Sequence, residues 1–193
     1  MTIITGFTDG KNTWLAGDRI GASEYGDNSL QVRPKVFTKD IPHCKQKIAI
    51  GYTTSFRMGQ LLEFKYTPPV FEGDIDKYIF SKVTSSIMNF LHENKFASES
   101  DNVRRGGNFL IGFMGRLFEM QNDFSVLENT RGYAAVGCGF AYALGAMCAL
   151  VNTQSTTELK PMDIAIQGVA VAAEHNSFCK HLGEIDTVCV GIE

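Results

Sequence analysis

The sequence predicts an α+β fold with four layers (αββα), in which two antiparallel sheets lie between two helical layers. The 193 residues are 44% apolar, which is enough chain and apolar surface to form one domain spanning residues 1–193. Strand patterns occur in groups at the start, middle and end of the chain, and two helical patterns follow each of the first two groups. A doubly wound parallel sheet is excluded, because its helices alternate singly with its strands.

The first quarter of the chain is predicted to form four strands. Residues 2–7 and 12–16 are β-branched or apolar runs on either side of Asp9-Gly10, a dipeptide that is typical of a hairpin turn. Residues 35–37 and 47–51 predict two further strands. Residues 21–28, which lie between the two pairs, contain two glycines and an asparagine and predict an irregular loop.

Two helices and a loop are predicted next. Apolar positions within residues 55–64 suit a short helix, which Pro68-Pro69 prevents from continuing. Asp74 suits the N-cap of the second helix, and the polar residues 98–105 that follow it predict a surface loop. The apolar residues of the second helix recur every three or four positions and form one stripe that must cover a sheet: Ile75, Ile79, Val83, Ile87, Phe90 and Leu91.

The second half of the chain repeats this order of strands and helices. A hairpin around Gly115 is predicted to join residues 107–114 to residues 116–120, and residues 134–136 form the next strand. Two helices then follow, one over residues 139–150 and one from Pro161 to about Leu182, with Asp163 at the positive N-terminal end of the second. Residues 185–192 are predicted to form the last strand.

Composition excludes several classes of protein. The net charge is -3 and no basic run is longer than Arg104-Arg105, so the electrostatic footprint of a nucleic-acid-binding protein is missing. Five cysteines without a CxxC pair argue against a zinc site or disulfide framework and for free thiols in a reducing cytoplasm. Residues 133–151 carry no charge, but a strand and a glycine turn leave a helix too short to cross a membrane.

The sequence begins with Met1-Thr2, and Thr2 is a candidate catalytic residue. Removal of the methionine leaves a threonine whose hydroxyl nucleophile and free α-amine belong to one residue. An α-amine has a pKa near ~7.7–8.0, so a large part of it is neutral at physiological pH and can take the hydroxyl proton.

Five motifs in the expected order resemble those of the proteasome β-subunit and HslV family of N-terminal-nucleophile (Ntn) peptidases. Residues 2–6 (TIITG) resemble the family's opening Thr-Thr-x-Val-Gly, and residues 15–18 (LAGD) resemble its Ala-Ala/Gly-Asp segment. Residues 34–37 (PKVF) resemble Lys-Lys-[Leu/Val/Ile]-Phe, and residues 48–51 (IAIG) resemble the Ile-Ala-Gly strand end. Residues 133–150 resemble an HslV run that contains Gly-Ser-Gly and continues into a helix of small residues.

This resemblance implies a set of catalytic roles. Thr2 is expected to be the nucleophile, Lys35 the buried cation beside it, and Asp18 the group that orients this lysine. The backbone N–H of Gly51 is expected to be the oxyanion donor. The resemblance also implies that the specificity pocket is polar, rather closed and lined by Tyr52, Thr53 and Thr54.

The sequence departs from the family pattern at two places. The helper serine of Gly-Ser-Gly is Cys138, whose thiol is a weaker hydrogen-bonding group than a hydroxyl. The later Asp-x-x-Ser is assigned to Glu174 and Ser177, which lengthens the acid by one methylene and keeps the serine. Both segments are expected to contribute to the site.

Two alternatives to a threonine peptidase stay open. If Met1 is retained, Thr2 has only an amide nitrogen, and the chain is then a catalytically inactive, ring-forming or binding subunit. In the other alternative Cys138 is the nucleophile, since it lies at a strand-to-helix turn that lowers a thiol pKa, and His175 or His181 is its base.

The resemblance also implies how the protein assembles and what it acts on. A homo-oligomer of stacked rings is expected, with peptides or unfolded proteins as substrates. No metal or organic cofactor is implied, and an ATPase partner is possible but cannot be identified from the sequence. Bacterial and phage-encoded proteins are of this general type.

Overall fold

The computed structural model describes residues 2–22, 28–100, 103–153, 159–179 and 185–192. Two antiparallel sheets dominate it. The first has the strand order β12-β1-β2-β13. Its strands are β1 (Ile3–Thr8), β2 (Asn12–Gly17), β12 (Tyr133–Gly137) and β13 (Asp186–Gly191).

The second sheet has the strand order β11-β10-β9-β6-β5 and is also antiparallel. Its strands are β5 (Val36–Asp40), β6 (Lys47–Tyr52), β9 (Phe109–Phe113), β10 (Arg116–Met120) and β11 (Val126–Glu128). The predicted hairpins around Asp9-Gly10 and Gly115 are both present as β1–β2 and β9–β10.

Helices cover the outer face of each sheet. Over the second sheet lie α1 (Phe56–Phe64) and a continuous helical rod made of α2 (Ile75–Lys77), a π-helical turn (Tyr78–Val83) and α3 (Thr84–Glu93). Over the first sheet lie α4 (Phe140–Thr153) and α5 (Pro161–His175). The structure therefore confirms the predicted α+β class with its two antiparallel sheets between helices.

Strand β1 shows how the layers are held together. Because successive side chains of a strand point to opposite faces, Ile3 packs in the cluster under α4 and α5 while Ile4 packs between the two sheets. Thr5, which shares a face with Ile3, is fully buried and its hydroxyl donates a 2.7 Å hydrogen bond to the carbonyl of Ala165 on α5. A strand buried on both faces explains why residues 3–7 carry no charge.

Residues that flank strands of both sheets meet at one edge of the sandwich. The β1–β2 hairpin places Thr2, just before β1, beside Asp18, just after β2. The β5–β6 hairpin places Lys35, just before β5, beside residues 53–55 after β6. The fold thus brings four distant parts of the sequence to one place.

Some predicted boundaries are wrong. Helix α5 ends at His175 rather than near Leu182, which itself lies outside the described residues, because Asn176 is extended (φ -117, ψ 118). The Asn176 side-chain carbonyl accepts a hydrogen bond from the Phe178 N–H at 2.9 Å, which stabilises a turn in place of another helical turn.

Two regions predicted as loops contain short antiparallel pairs. Strands β3 (Ile20–Ala22) and β4 (Asn28–Leu30) pair at the ends of the predicted 21–28 loop. Strands β7 (Ser98–Ser100) and β8 (Val103–Arg105) pair within the predicted 98–105 loop. Both pairs are three residues long, which is too short for an alternating apolar pattern to appear in the sequence.

The uncharged stretch from residue 133 to residue 151 forms strand β12, a turn and most of α4, as expected. None of the helices in the described part of the chain combines the length and apolar character needed to cross a lipid bilayer.

Candidate active site

Thr2, Asp18 and Lys35 form one buried hydrogen-bonded cluster. The exposed fraction is 5% for Thr2 and 1% for each of Asp18 and Lys35. The Lys35 ammonium donates to the Thr2 hydroxyl oxygen at 2.5 Å and to Asp18 Oδ1 at 2.7 Å, and its third partner is the Ile20 carbonyl. The Thr2 hydroxyl in turn donates to Asp18 Oδ1. A hydroxyl, a cation and a carboxylate from three chain segments are therefore in direct contact.

Burial and the neighbouring carboxylate have opposite effects on the pKa of Lys35. It lowers the pKa of Lys35 because the ammonium loses its hydration, while the adjacent Asp18 carboxylate favours the charged form and opposes that shift. Asp18 Oδ1 also accepts from the Ile3 N–H at 3.3 Å, whereas its Oδ2 is buried with no hydrogen-bond partner among the described residues. The Lys35 ammonium therefore contacts only one of the two Asp18 carboxylate oxygens.

The turn after β12 fixes the backbone of Thr2. The Thr2 carbonyl accepts hydrogen bonds from the Cys138 N–H at 3.0 Å and from the Cys138 thiol at 3.3 Å. Gly137 makes this approach possible, because its φ is +112 and a Cβ there would overlap the Thr2 carbonyl oxygen. Cys138 is therefore at the site, as predicted, but it contacts the Thr2 carbonyl and not its hydroxyl.

Two cavities meet at Thr2. The smaller, of about 30 Å³, is lined by Thr2, Lys35 and the predicted pocket residues Tyr52, Thr53 and Thr54, together with Ser55 and Phe56. The larger, of about 430 Å³, also has Thr2, Thr53 and Thr54 in its wall and extends past Cys138 to Glu119. The structure therefore places all three predicted pocket residues beside the threonine, and the smaller cavity is narrow.

Gly51 does not reach either cavity, in contrast to its predicted position. It lies inside β6, where a Cβ would come within 2.6 Å of Ile4 Cγ2 and 3.1 Å of Val36 Cγ1, between the two sheets. Strand β6 runs one residue further than predicted, so the turn that borders Thr2 begins at Thr53. Within this turn Thr54 has a φ of +69, and no acceptor in the described part of the chain binds its N–H.

The predicted residues Glu174 and Ser177 are not brought to Thr2. Both are exposed, Glu174 on the last turn of α5 and Ser177 in the turn that follows it. Two other residues of this segment do reach the site: the Asn176 amide donates to the Cys138 carbonyl at 2.9 Å, and the Cys179 sulfur lies 3.0 Å from the Cys138 sulfur. Asn176 and Cys179 are three residues apart, as Glu174 and Ser177 are, but they lie two positions later in the sequence.

The structure gives Cys138 a thiol as its neighbour and not an imidazole. His175 is exposed and stacks on Tyr142, with ring centroids 5.8 Å apart, and His181 lies outside the described residues. In the part of the chain that the structure describes, no histidine hydrogen-bonds to Cys138. The pairing of a Cys138 nucleophile with a His175 base therefore has no support here.

Comparison with solved structures identifies the architecture. The BPH protein of Thiobacillus denitrificans superposes with a TM-score of 0.74 at 21% identity, covering 100% of this chain and 99% of the other. The chain therefore has the fold of this protein, which is proteasome/HslV-like. BPH of the same organism in complex with epoxomicin gives a TM-score of 0.74 at 19% identity, with 100% of both chains covered.

A eukaryotic protein has the same fold. HslV from Trypanosoma brucei superposes with a TM-score of 0.66 at 16% identity, covering 99% of this chain and 100% of the other. No protein-family model matches the sequence, and neither does any curated protein. At these identities the likeness establishes the fold, and the activity must be argued from the site.

Proposed function

We propose that this protein is a threonine-type peptidase that uses Thr2 as an N-terminal nucleophile after removal of Met1. The observation that supports it most directly is the contact between a buried lysine ammonium and the Thr2 hydroxyl oxygen at 2.5 Å. Lysine is almost never fully buried unless it is paired, and the partners of Lys35 here are the Asp18 carboxylate and the Thr2 hydroxyl. Here the burial brings a positive charge to the oxygen that would attack a substrate.

The proposed reaction follows from these groups. Without Met1, the neutral α-amine of Thr2 takes the hydroxyl proton as Oγ1 bonds to the carbonyl carbon of the scissile peptide. The carbonyl oxygen becomes an oxyanion, and the amine then gives its proton to the leaving nitrogen as the C–N bond breaks. The product is an ester on Thr2, which water hydrolyses. Lys35 stabilises negative charge on Oγ1, and Asp18 holds Lys35 in place.

The N–H of Thr54 is the proposed oxyanion donor in place of Gly51. It lies in the turn that lines both cavities beside Thr2, and it has no acceptor among the described residues. A donor that is held by the backbone before the substrate arrives costs little reorganisation when the oxyanion forms. The φ of Thr54 is +69, which is unusual for a β-branched residue.

The cavities support a polypeptide as the substrate. The cavity of about 430 Å³ has room for a peptide segment beside Thr2, whereas the adjoining one of about 30 Å³ suits a small side chain. We therefore choose short fluorogenic peptides with alanine next to the scissile bond as probes.

Self-assembly is part of the proposal. Helix α4 has no charged residue, yet of its fourteen residues only Ala143 and Met147 are fully buried. Phe140 and Tyr142 on this helix are 51% and 46% exposed. An exposed, uncharged helix supports a contact with another copy of the chain, consistent with a homo-oligomer of stacked rings.

The test begins with the intact mass and N-terminal residue of the purified protein. We expect loss of Met1, hydrolysis of the alanine peptides, and modification by a threonine-directed electrophile such as epoxomicin. Thr2→Ala should lower kcat/KM by at least about 10³-fold because it removes the nucleophile, and Thr2→Ser should retain activity. Thr38→Ala, at an exposed threonine on β5, is the control and should behave like the wild type.

Two results would overturn the peptidase proposal. One is retention of Met1 in protein from a source that processes N-termini. The other is peptide hydrolysis that is unchanged in Thr2→Ala. Retained Met1 together with an intact oligomer would instead support a catalytically inactive, ring-forming or binding subunit.

A further inference from the structure

Two cysteine thiols lie in contact directly behind Thr2. The sulfurs of Cys138 and Cys179 are 3.0 Å apart, although the residues are 41 positions apart in sequence. A disulfide requires a sulfur–sulfur bond of about 2.0 Å. The two sulfurs would therefore have to approach by only about 1 Å.

The backbones that carry these thiols are held in place by other contacts. The Cys138 N–H binds the Thr2 carbonyl at 3.0 Å, and the Cys138 carbonyl accepts from the Asn176 amide at 2.9 Å. The Cys179 N–H binds the Asn176 carbonyl at 3.0 Å. Asn176 therefore joins both cysteine segments, so the contact between the sulfurs results from a connected hydrogen-bond network.

The two thiols differ in their accessibility. Cys179 is fully buried, whereas Cys138 is half-buried and lines the cavity of about 430 Å³. The hydrogen bond between the two thiols lowers the pKa of Cys138, whereas the same hydrogen bond, together with burial, raises the pKa of Cys179. Cys138 is therefore the thiol of the pair that ionises first. A reagent that enters the cavity thus meets the more reactive sulfur first, with the buried sulfur in contact behind it.

We propose that Cys138 and Cys179 form a reversible intramolecular disulfide when the protein meets a low-molecular-weight disulfide. The Cys138 thiolate attacks one sulfur of the reagent and expels the other as a thiolate, which gives a mixed disulfide. The Cys179 thiol then loses its proton, and its sulfur attacks Cys138 Sγ and expels the second thiolate. Two protein thiols are oxidised, and one reagent disulfide is reduced to two thiols.

This modification would act on the Thr2 backbone. The Cys138 thiol that now donates to the Thr2 carbonyl has no hydrogen left in the disulfide, and its sulfur moves toward Cys179. We therefore expect oxidation to slow peptide hydrolysis and dithiothreitol to restore it. Only this consequence rests on the proposed function, since formation of the disulfide requires no catalytic activity.

The experiment counts free thiols in the folded full-length protein after equilibration with reduced and oxidised glutathione. Protein is trapped with acid, denatured and alkylated, and mass spectrometry identifies the unmodified cysteines. Of the five cysteines, we expect Cys138 and Cys179 to become protected together, with a mass loss of two hydrogens. Cys138→Ser and Cys179→Ser should each abolish this loss, and the control Cys148→Ser, on α4, should retain it.

The results separate this proposal from the peptidase proposal. Protection of the Cys138–Cys179 pair supports the disulfide even if no peptide is hydrolysed. Wild-type protein that keeps both thiols free in oxidised glutathione, or that links either cysteine to another residue, would overturn it. If the disulfide forms and hydrolysis by the wild type stays unchanged, the proposed effect on Thr2 is wrong.

Discussion

The buried Lys35–Asp18 pair is the residue-scale feature on which the candidate site depends. Both side chains are almost completely removed from water and lie 2.7 Å apart. Such a pair adds little net stability, because the loss of hydration offsets the attraction between the charges. Removal of one partner is much more costly, since the other charge is then buried alone.

We predict that Lys35→Met lowers the free energy of unfolding by about 3–5 kcal/mol, because Asp18 loses its counterion. The double variant Lys35→Met/Asp18→Asn should regain most of this loss, since no uncompensated charge remains. Urea unfolding at neutral pH measures both effects. Peptide hydrolysis should be lost in both variants, because the cation beside Thr2 is absent.

The control for this prediction is Lys47→Met. Lys47 forms an exposed ion pair with Asp40 at 3.0 Å, and its side chain is 55% exposed. Exposed pairs contribute about 0–1 kcal/mol, so this variant should stay close to the wild type. A double variant as unstable as Lys35→Met would contradict the argument, since the cost would then come from lost packing.

At the residue scale, the strand patterns were enough to place Thr2 and Asp18 close together, whereas the catalytic roles of these residues follow from the family resemblance and stay predictions. Thr2 and Asp18 flank the β1–β2 hairpin, whose turn is easily recognised, and the structure brings both to Lys35. Gly51 was predicted at the site because the sequence does not show where β6 ends; the strand continues to Tyr52, and the turn beside Thr2 begins only at Thr53. Its position depends on pairing with β9, which lies about sixty residues later in the sequence.

At the scale of elements, the two central hairpins meet turn against turn. Gly115 follows Met114 in the β9–β10 turn, where both residues have positive φ. The Gly115 carbonyl accepts a hydrogen bond from the Thr8 hydroxyl, and a Cβ on Gly115 would overlap the Gly10 carbonyl in the other turn. This contact fixes the two sheets relative to each other at this turn.

We predict that Gly115→Ala destabilises the protein more than Gly73→Ala does. Both glycines have positive φ (+73 and +96), so each alanine adds a conformational cost of about 1–2 kcal/mol. Only at Gly115 would the added Cβ overlap backbone atoms, and this overlap should cost about 1–3 kcal/mol more. Thermal or urea unfolding measures the difference. Equal losses would mean that the turns separate without cost.

The sequence predicted the type of each long element but not its irregularities. The apolar stripe of residues 75–91 predicted a helix correctly, yet a regular stripe does not reveal the π-helical turn at Tyr78–Val83. In that turn the Thr84 hydroxyl donates to the Ile79 carbonyl, five residues earlier, at 2.8 Å. The end of α5 was missed for a similar reason, since Asn176 is held by Cys138 from a distant segment.

At the scale of the whole molecule, helix α4 differs in its surface from the helices of the opposite layer. The layer formed by α1, α2 and α3 carries charged side chains at exposed positions, such as Arg57 and Glu93. Helix α4 in the opposite layer has none. Its exposed residues Ala141, Gly145 and Ala149 are four positions apart, so they form one row of small side chains along the helix.

A row of small residues on an uncharged helix allows another helix to approach closely, and in a ring the same contact is repeated at every subunit. We predict that Gly145→Glu reduces the assembly to smaller species, because each copy would bury an unpaired carboxylate. A Cβ at Gly145 meets no atom within 4 Å, so the fold itself should tolerate the change. Light scattering coupled to size-exclusion chromatography measures the assembled mass.

Gln60→Glu is the control for this prediction, because it adds the same charge at an exposed position of α1 and should leave the assembly intact. A wild-type protein that is monomeric, or a Gly145→Glu variant of unchanged mass, would exclude α4 as the assembly surface.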